Sequence, residues 1–231
     1  VKISLEERAT RRLHADTLER ATEALRADAF VVLEGLLDDE AIERARVTCR
    51  RVLDRKNRHR TPLPFELVRR VPFKGFAEHP IIVQVAATVL GGACAPQGFR
   101  WIRRSPPGGS AIGRVHRDTA GLRDVEGGGL PMRLSVDVML TDFTEDNGAT
   151  QIWPGTQGTV ESNVDERKSV GERASKIPSV HITGPAGSVA IRDERAWHRA
   201  GVNRTDQDRV MLSIGQWGLC EPSENAERLT R

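Results

Sequence analysis

Hydrophobic periodicity changes once along this chain, near residue 97, and divides it into a helix-forming part and a strand-forming part. Upstream, Leu5, Ala9, Leu13, Leu18, Ala21 and Leu25 recur at near-helical spacing with charged residues between them. Residues 30–33 form a short apolar run that predicts a strand. Asp38 or Asp39 can cap a second helix, whose apolar face carries Ile42, Ala45, Cys49 and Val52 or Leu53. Residues 61–76, rich in Pro and basic side chains, read as a long loop. His79-Pro80 opens a third helix, with Pro80 at the first helical position, and Gly91-Gly92 ends it. Downstream the period falls to two. Residues 97–104, 111–118, 133–143, 149–153, 179–183, 187–192 and 208–217 are candidate strands between Gly- and Pro-rich turns. In 133–143, Leu134, Val136, Val138 and Leu140 share one face and Ser135, Asp137, Met139 and Thr141 the other. In 208–217, Val210, Leu212 and Ile214 should face the helices, and Arg209, Met211, Ser213 and Gly215 should face inward. Helices followed by many short strands predict a mainly β fold with flanking helices, a double sheet buttressed by the N-terminal segment.

The 231 residues suit one domain, with 1–96 as mainly helical support and 97–217 as the β core. Three cysteines, Cys49, Cys94 and Cys220, lie far apart with no C-x-x-C. That excludes a disulfide framework or a cysteine zinc site and fits a reducing, cytoplasmic compartment. No apolar run approaches the roughly 18 residues of a transmembrane helix, and no signal-peptide core stands at the N-terminus, so no membrane partner is expected. Thirty-five basic and 32 acidic residues give a net charge of +3, too balanced to argue for nucleic acid. Aromatics are 4% with no Tyr, which disfavours a base-stacking platform. The basic run Arg55-Lys56-Asn57-Arg58-His59-Arg60 reads either as a solvated helix end and loop or as a patch steering an anionic substrate.

Of six histidines, two have informative contexts. His116-Arg117-Asp118 is an H-x-D, and on a strand residues i and i+2 project to one face, so an imidazole nitrogen and a carboxylate oxygen can grip one ion. His198, beyond several strands, would complete a two-His-one-carboxylate triad, which fills three sites of an octahedral Fe(II) and leaves three open. Alone, an H-x-D is a weak signal, more often a surface or core histidine bonded to a neighbouring acid.

The surrounding residues add to this. The stretch from Gly184 to Arg209, through Ala196-Trp197-His198, resembles the distal-histidine region of the phytanoyl-CoA dioxygenase-like family. Thr141-Asp142-Phe143-Thr144-Glu145-Asp146-Asn147-Gly148-Ala149-Thr150-Gln151-Ile152-Trp153-Pro154-Gly155-Thr156 resembles that family's block between its two histidines, and the H-x-D stands in the matching order. The resemblance spans residues 98–217 and fits the N-terminal helices only loosely. It implies an Fe(II)- and 2-oxoglutarate-dependent oxygenase on a double-stranded β-helix, the cupin-like jelly-roll barrel. It implies His116, Asp118 and His198 as iron ligands and Arg209 as partner of the far carboxylate of 2-oxoglutarate. A guanidinium offers a planar fork for that purpose. Arg204 competes with Arg209 but falls in a polar turn. Thr150 resembles a position that helps bind the cosubstrate; its hydroxyl could equally bond to backbone. One departure is Arg114, where members often carry an amide. By strand alternation it shares a face with His116 and Asp118, and it could bind cosubstrate, bind a substrate carboxylate, or pair with an acid. Related halogenases lack the carboxylate, so Asp118 argues for hydroxylation or another oxidative outcome with no halide bound to iron; the resemblance implies hydroxylation of an unactivated C–H bond, with O2 consumed and succinate and CO2 released.

Other features carry less. Trp101, Trp153, Trp197 and Trp217 read as core, and His181 as structural. Asp193 either orients a ligand imidazole or ends its strand. Segments 55–74, 124–131 (with Gly127-Gly128-Gly129 as a hinge) and 156–178 are expected to shape the substrate pocket. Arg103, Arg104 and Arg114 point to an anionic small-molecule substrate, and secondary metabolism suits the chain better than acyl-CoA oxidation, since no nucleotide-binding feature is found. Two other classes remain open: the same iron site giving desaturation, epimerisation or an endoperoxide, and a non-catalytic jelly-roll binding protein.

Overall fold

The N-terminal periodicity is broken at Arg11, and one acid accounts for the break. In the computed structural model, which describes residues 1–97, 100–108, 113–118, 133–159 and 164–219, α1 (Leu5–Thr10) ends on Arg11 at φ 55 and α2 (Ala15–Asp28) starts anew. Glu7 is 2% exposed. Its carboxylate accepts from the Ser4 amide at 3.0 Å, the Ser4 hydroxyl at 2.8 Å and the His14 amide at 3.0 Å, so it serves the starts of both helices. Leu5, expected in an apolar row, is therefore exposed.

β1 (Phe30–Leu33) and α3 (Asp39–Lys56) follow as read, with Asp38 capping the helix and Ile42, Ala45, Cys49 and Leu53 buried. Segment 61–76 is not a plain loop. It carries the end of β2 (Arg60–Pro62), α4 (Phe65–Val68) and most of α5 (Phe73–Ala77), and Phe73 and Phe76 anchor it edge to face in the core. α6 (Pro80–Leu90) starts at His79, whose Nδ1 accepts from the Ile81 amide, and ends at Gly91 with φ 80. Strand 97–104 is instead two strands, β3 (Cys94–Gln97) and β4 (Trp101–Ser105). Then come β5 (Arg133–Met139), β6 (Gln151–Ile152), α7 (Val164–Ala174), β7 (Val180–His181), β8 (Val189–Asp193), β9 (His198–Arg199) and β10 (Arg209–Leu219). Segment 156–178, for which no element is read from the sequence, holds α7 and, at Thr156–Gly158, one 3-10 turn.

Among the described residues, seven strands form one antiparallel sheet in the order β1-β8-β5-β10-β4-β2, with β3 also on β10; β7-β6-β9 form a second. The large sheet is buried on both faces. Leu134, Val136, Val138, Val189, Ile191, Val210, Leu212 and Ile214 pack with the helices in one core. Met139, Ala190 and Met211, from the opposite face, pack with Ile152, Ala149 and Ile182 of the smaller-sheet side in another. The expected inward and outward faces of 133–143 and 208–217 are those observed. A register shift between Ser213 and Gln216, with Gly215 at φ 110, reverses parity and returns Trp217 to the helix-side core. Among the described residues no helix is long and apolar enough to cross a membrane.

Candidate metal and cosubstrate site

His116 and His198 meet because their backbones pair. Residues 111–118 were expected to form a strand; among the described ones only an isolated antiparallel bridge, His116 to His198, is present. Each amide donates to the other's carbonyl, at 3.0 and 2.9 Å, and the Asp118 amide donates to the Glu194 carbonyl at 3.0 Å. The alternation still holds. Arg117 turns the other way, is buried and donates to the Thr159 carbonyl at 2.6 Å, which leaves His116 and Asp118 on the cleft side.

Ligand atoms of His116, Asp118 and His198 all lie within 4.8 Å of one another, a spacing that can hold one metal ion. Nε2 of His116 is 3.5 Å and Nε2 of His198 3.4 Å from the two oxygens of Asp118. Nδ1 of His116 lies 2.9 Å from the Arg114 carbonyl, which can only accept. Nδ1 is thereby held as the donor to backbone, and Nε2, on the Asp118 side, is the atom that a metal ion would take in place of a proton. Nδ1 of His198 lies between the Ala196 carbonyl at 3.0 Å and an Arg192 nitrogen at 3.2 Å, which fixes the ring with Nε2 facing Asp118 and the ion position.

Arg192 is the residue that motif reading missed. It is buried and donates to Asp118 Oδ2 at 2.9 Å. Burial alone would raise the Asp118 pKa, but Arg192, then His116 and His198, hold it far below the usual carboxylate range. His198 is pushed down to about 4, by burial first and Arg192 second, so its ring is neutral at physiological pH. Burial opposes the charge on Arg192, and Asp118 outweighs it. Alternation in β8 carried the signal: Val189 and Ile191 face the helices, so Arg192 must face the cleft.

The triad opens on a cleft of about 570 Å³ whose lining includes six arginines and two aspartates, Asp118 and Asp137. Thr150 and Arg209 line it, Arg209 from the inward face of β10. Arg209 is 5% exposed. Its guanidinium lies 4.5 Å over the Phe143 ring and donates to Met211 Sδ at 3.1 Å, while its Nε is buried with no hydrogen-bond partner. Burial draws its pKa down to about 10 against the opposing charge of Asp137, so the cation persists although no carboxylate is hydrogen-bonded to its Nε. The lining includes Gly113 and His116 but not Arg114, whose visible contribution is the carbonyl that orients His116.

Asp193 does not reach an imidazole. It accepts from Arg195 at 2.8 and 2.9 Å and so closes the turn after β8. Trp153 and Trp197 pack with Val170 and Ala174 of α7, and Trp153 donates to the Ala174 carbonyl at 2.8 Å. Trp101 departs from the core reading: it is half-buried, with the Arg60 guanidinium 4.1 Å above its ring. Segment 124–131 and Cys220 lie outside the described residues.

A family model described as phytanoyl-CoA dioxygenase (PhyH) matches residues 25–211. Dioxygenase trt7 of Aspergillus terreus (strain NIH 2624 / FGSC A1156) is 26% identical over 235 residues, 89% of this chain and 76% of that protein. The epimerase SnoN, solved in complex with Fe3+, alpha ketoglutarate and nogalamycin RO, superposes with TM-score 0.70 at 19% identity, over 89% of this chain and 85% of that one. The non-heme alpha ketoglutarate dependent carbocyclase SnoK, from nogalamycin biosynthesis, does so with TM-score 0.69 at 18% identity, over 91% and 90%. At these identities the structural likeness establishes the fold.

Proposed function

Since the chain belongs to the phytanoyl-CoA dioxygenase (PhyH) family, we propose that it is an Fe(II)- and 2-oxoglutarate-dependent oxygenase that hydroxylates an unactivated C–H bond of a small molecule. One observation carries this reading: three convergent donors, two imidazoles and a carboxylate, share a cleft with a buried guanidinium whose Nε has no partner. The donor set suits ferrous iron, with three coordination positions left open. His116, Asp118 and His198 would hold the iron, which would supply the oxidising chemistry with 2-oxoglutarate and O2 as co-reactants and succinate and CO2 as by-products.

The chain's own residues do the rest. His116 and His198 offer Nε2, each oriented through its Nδ1, and Arg192 presents the Asp118 carboxylate in ionised form. Arg209 binds the far carboxylate of 2-oxoglutarate as a charge-assisted fork, and Thr150 lines the same cleft as a further contact for the cosubstrate. That carboxylate would also relieve the buried, half-satisfied cation, so folding and cosubstrate affinity meet in one residue. A small molecule of biosynthetic origin is the substrate, in keeping with SnoN and SnoK from nogalamycin biosynthesis. Those two neighbours, an epimerase and a carbocyclase, favour one second reading, in which the same site gives epimerisation or ring closure.

Anaerobic titration with Fe(II) and 2-oxoglutarate tests the assignment. The wild type should develop the visible metal-to-ligand charge-transfer band, Arg209→Ala should bind 2-oxoglutarate at least tenfold more weakly, and Asp118→Ala should lose product formation. Unchanged affinity in Arg209→Ala would remove that residue from its role. A product heavier by one oxygen, formed with succinate, distinguishes hydroxylation from epimerisation or ring closure. Absence of succinate would mark a non-catalytic binding protein.

A further inference from the structure

The register of β2 on β4 sets Arg60 directly opposite Arg103. Like charges at directly opposed positions of adjacent strands are destabilising. Neither guanidinium is hydrogen-bonded to or ion-paired with a described carboxylate, and Nε of Arg103 is buried with no partner at all. The adjacent Arg104 behaves differently: Asp54 at 2.7 Å and Asp208 at 3.4 Å neutralise it. Arg60 is held in place by its stack on Trp101, which fixes a planar donor fork without using its N–H groups. Burial and the charge of Arg103 both work against the Arg60 cation, and Asp118 works for it, so the pair lies within electrostatic reach of the triad. Arg209 is on the same wall, because β10 pairs with β4 so that Ser105 faces Arg209 and Met211 faces Arg103. On this wall the Arg60–Arg103 pair is thus separate from Arg209, and the far carboxylate of one 2-oxoglutarate can occupy only one of the two.

We infer that Arg60, stacked on the Trp101 ring, and Arg103, opposite it in register, form a binding site for an anionic oxyacid group, a carboxylate or a phosphate, carried by the substrate. The inference rests on the oxygenase reading of the same cleft, and it narrows that reading's substrate to an anion held by one end while the other end faces the triad. It also revises the arginines expected to do this: Arg104 is neutralised by acids, Arg114 is not part of the lining, and Arg60 replaces them. The basic run 55–60 accordingly has two parts, with α3 ending at Lys56 and Arg60 turning into the cleft.

The test is calorimetric titration of anaerobic, Fe(II)- and 2-oxoglutarate-loaded protein at fixed ionic strength. Benzoate, phenyl phosphate and neutral benzyl alcohol serve as probes. At least one anion should bind ten times more tightly than the alcohol, and the tighter anion identifies the acid group. Arg60→Gln and Arg103→Gln should each lower that affinity at least tenfold and leave 2-oxoglutarate affinity within twofold of wild type. Arg103→Lys, which keeps the charge, should recover part of the loss; a folding defect would instead depress both variants and the cosubstrate together, and near-ultraviolet circular dichroism would report it. Equal binding of alcohol and anions, unchanged affinity in the Gln variants, or a loss of 2-oxoglutarate binding in place of probe binding would each overturn the inference. If wild type binds no 2-oxoglutarate, the oxygenase reading fails, and the same probes on unloaded protein still decide whether the arginine pair takes anions.

Discussion

Single residues here are tuned by burial more than by sequence neighbours. His79, 7% exposed, is pushed down to about 4 by burial first and the charge of Arg11 second. Its ordinary value is about 6.5, which the unfolded chain recovers. Between those values the unfolded state takes up a proton that the native state refuses, so stability is full above pH 6.5 and falls as pH drops toward 4. The loss should be on the order of 3 kcal/mol across that window. Urea midpoints followed from pH 7 to pH 4 should show a shallower decline in His79→Asn, whose amide can still cap α6 but does not titrate. A slope identical to wild type would show that His79 is not a source of the acid sensitivity. Cys49, wholly buried, is pushed up to about 12 by burial and is inert packing in α3.

At the scale of elements, the site depends on close backbone contact between the 148–150 segment and the stretch after His198. A Cβ on Gly201 would overlap the Ala149 carbonyl oxygen and press on the Gly148 backbone at 3.1 Å. Backbone cannot rotate away as a side chain can, so Gly201→Ala should cost about 1–3 kcal/mol. It should also weaken 2-oxoglutarate binding, because Thr150 and the strand carrying His198 are displaced relative to each other. Gly158→Ala is the matched control, since nothing lies within 4 Å of its added carbon. Equal urea midpoints for the two variants would refute the close-contact argument. Short elements were the least legible part of the sequence. The break between α1 and α2 depends on Glu7 reaching both Ser4 and His14, and the helices within 61–76 depend on Phe73 and Phe76 finding the core. The Ser4-x-x-Glu7 capping box is a local spacing signal, but neither spacing nor propensity encodes the reach of Glu7 to His14 or the seats of Phe73 and Phe76.

For the molecule as a whole, one core joins the two halves of the chain. Ile3, Leu25, Leu53 and Leu90 of the helical third pack in the same cluster as Val136, Val189, Leu212 and Trp217 of the sheet. Neither layer can bury its apolar face without the other, so unfolding should be a single cooperative transition, with calorimetric and van't Hoff enthalpies equal. Separate midpoints for far-ultraviolet helix signal and near-ultraviolet tryptophan signal would show instead that 1–96 is an independent unit.

Period-two alternation was enough to orient Val210, Leu212 and Ile214 outward and Arg209 inward, because a strand has only two faces and one must be dry. The H-x-D and the distant histidine were legible for the same reason: residues two apart share a face wherever the backbone is extended. Legibility stopped at partners. That Arg192 would brace Asp118, that Arg60 would stand opposite Arg103, and that acids would claim Arg104 all follow from strand order and register. Those are properties of distant segments meeting, and free energy assigns them only when the whole core closes.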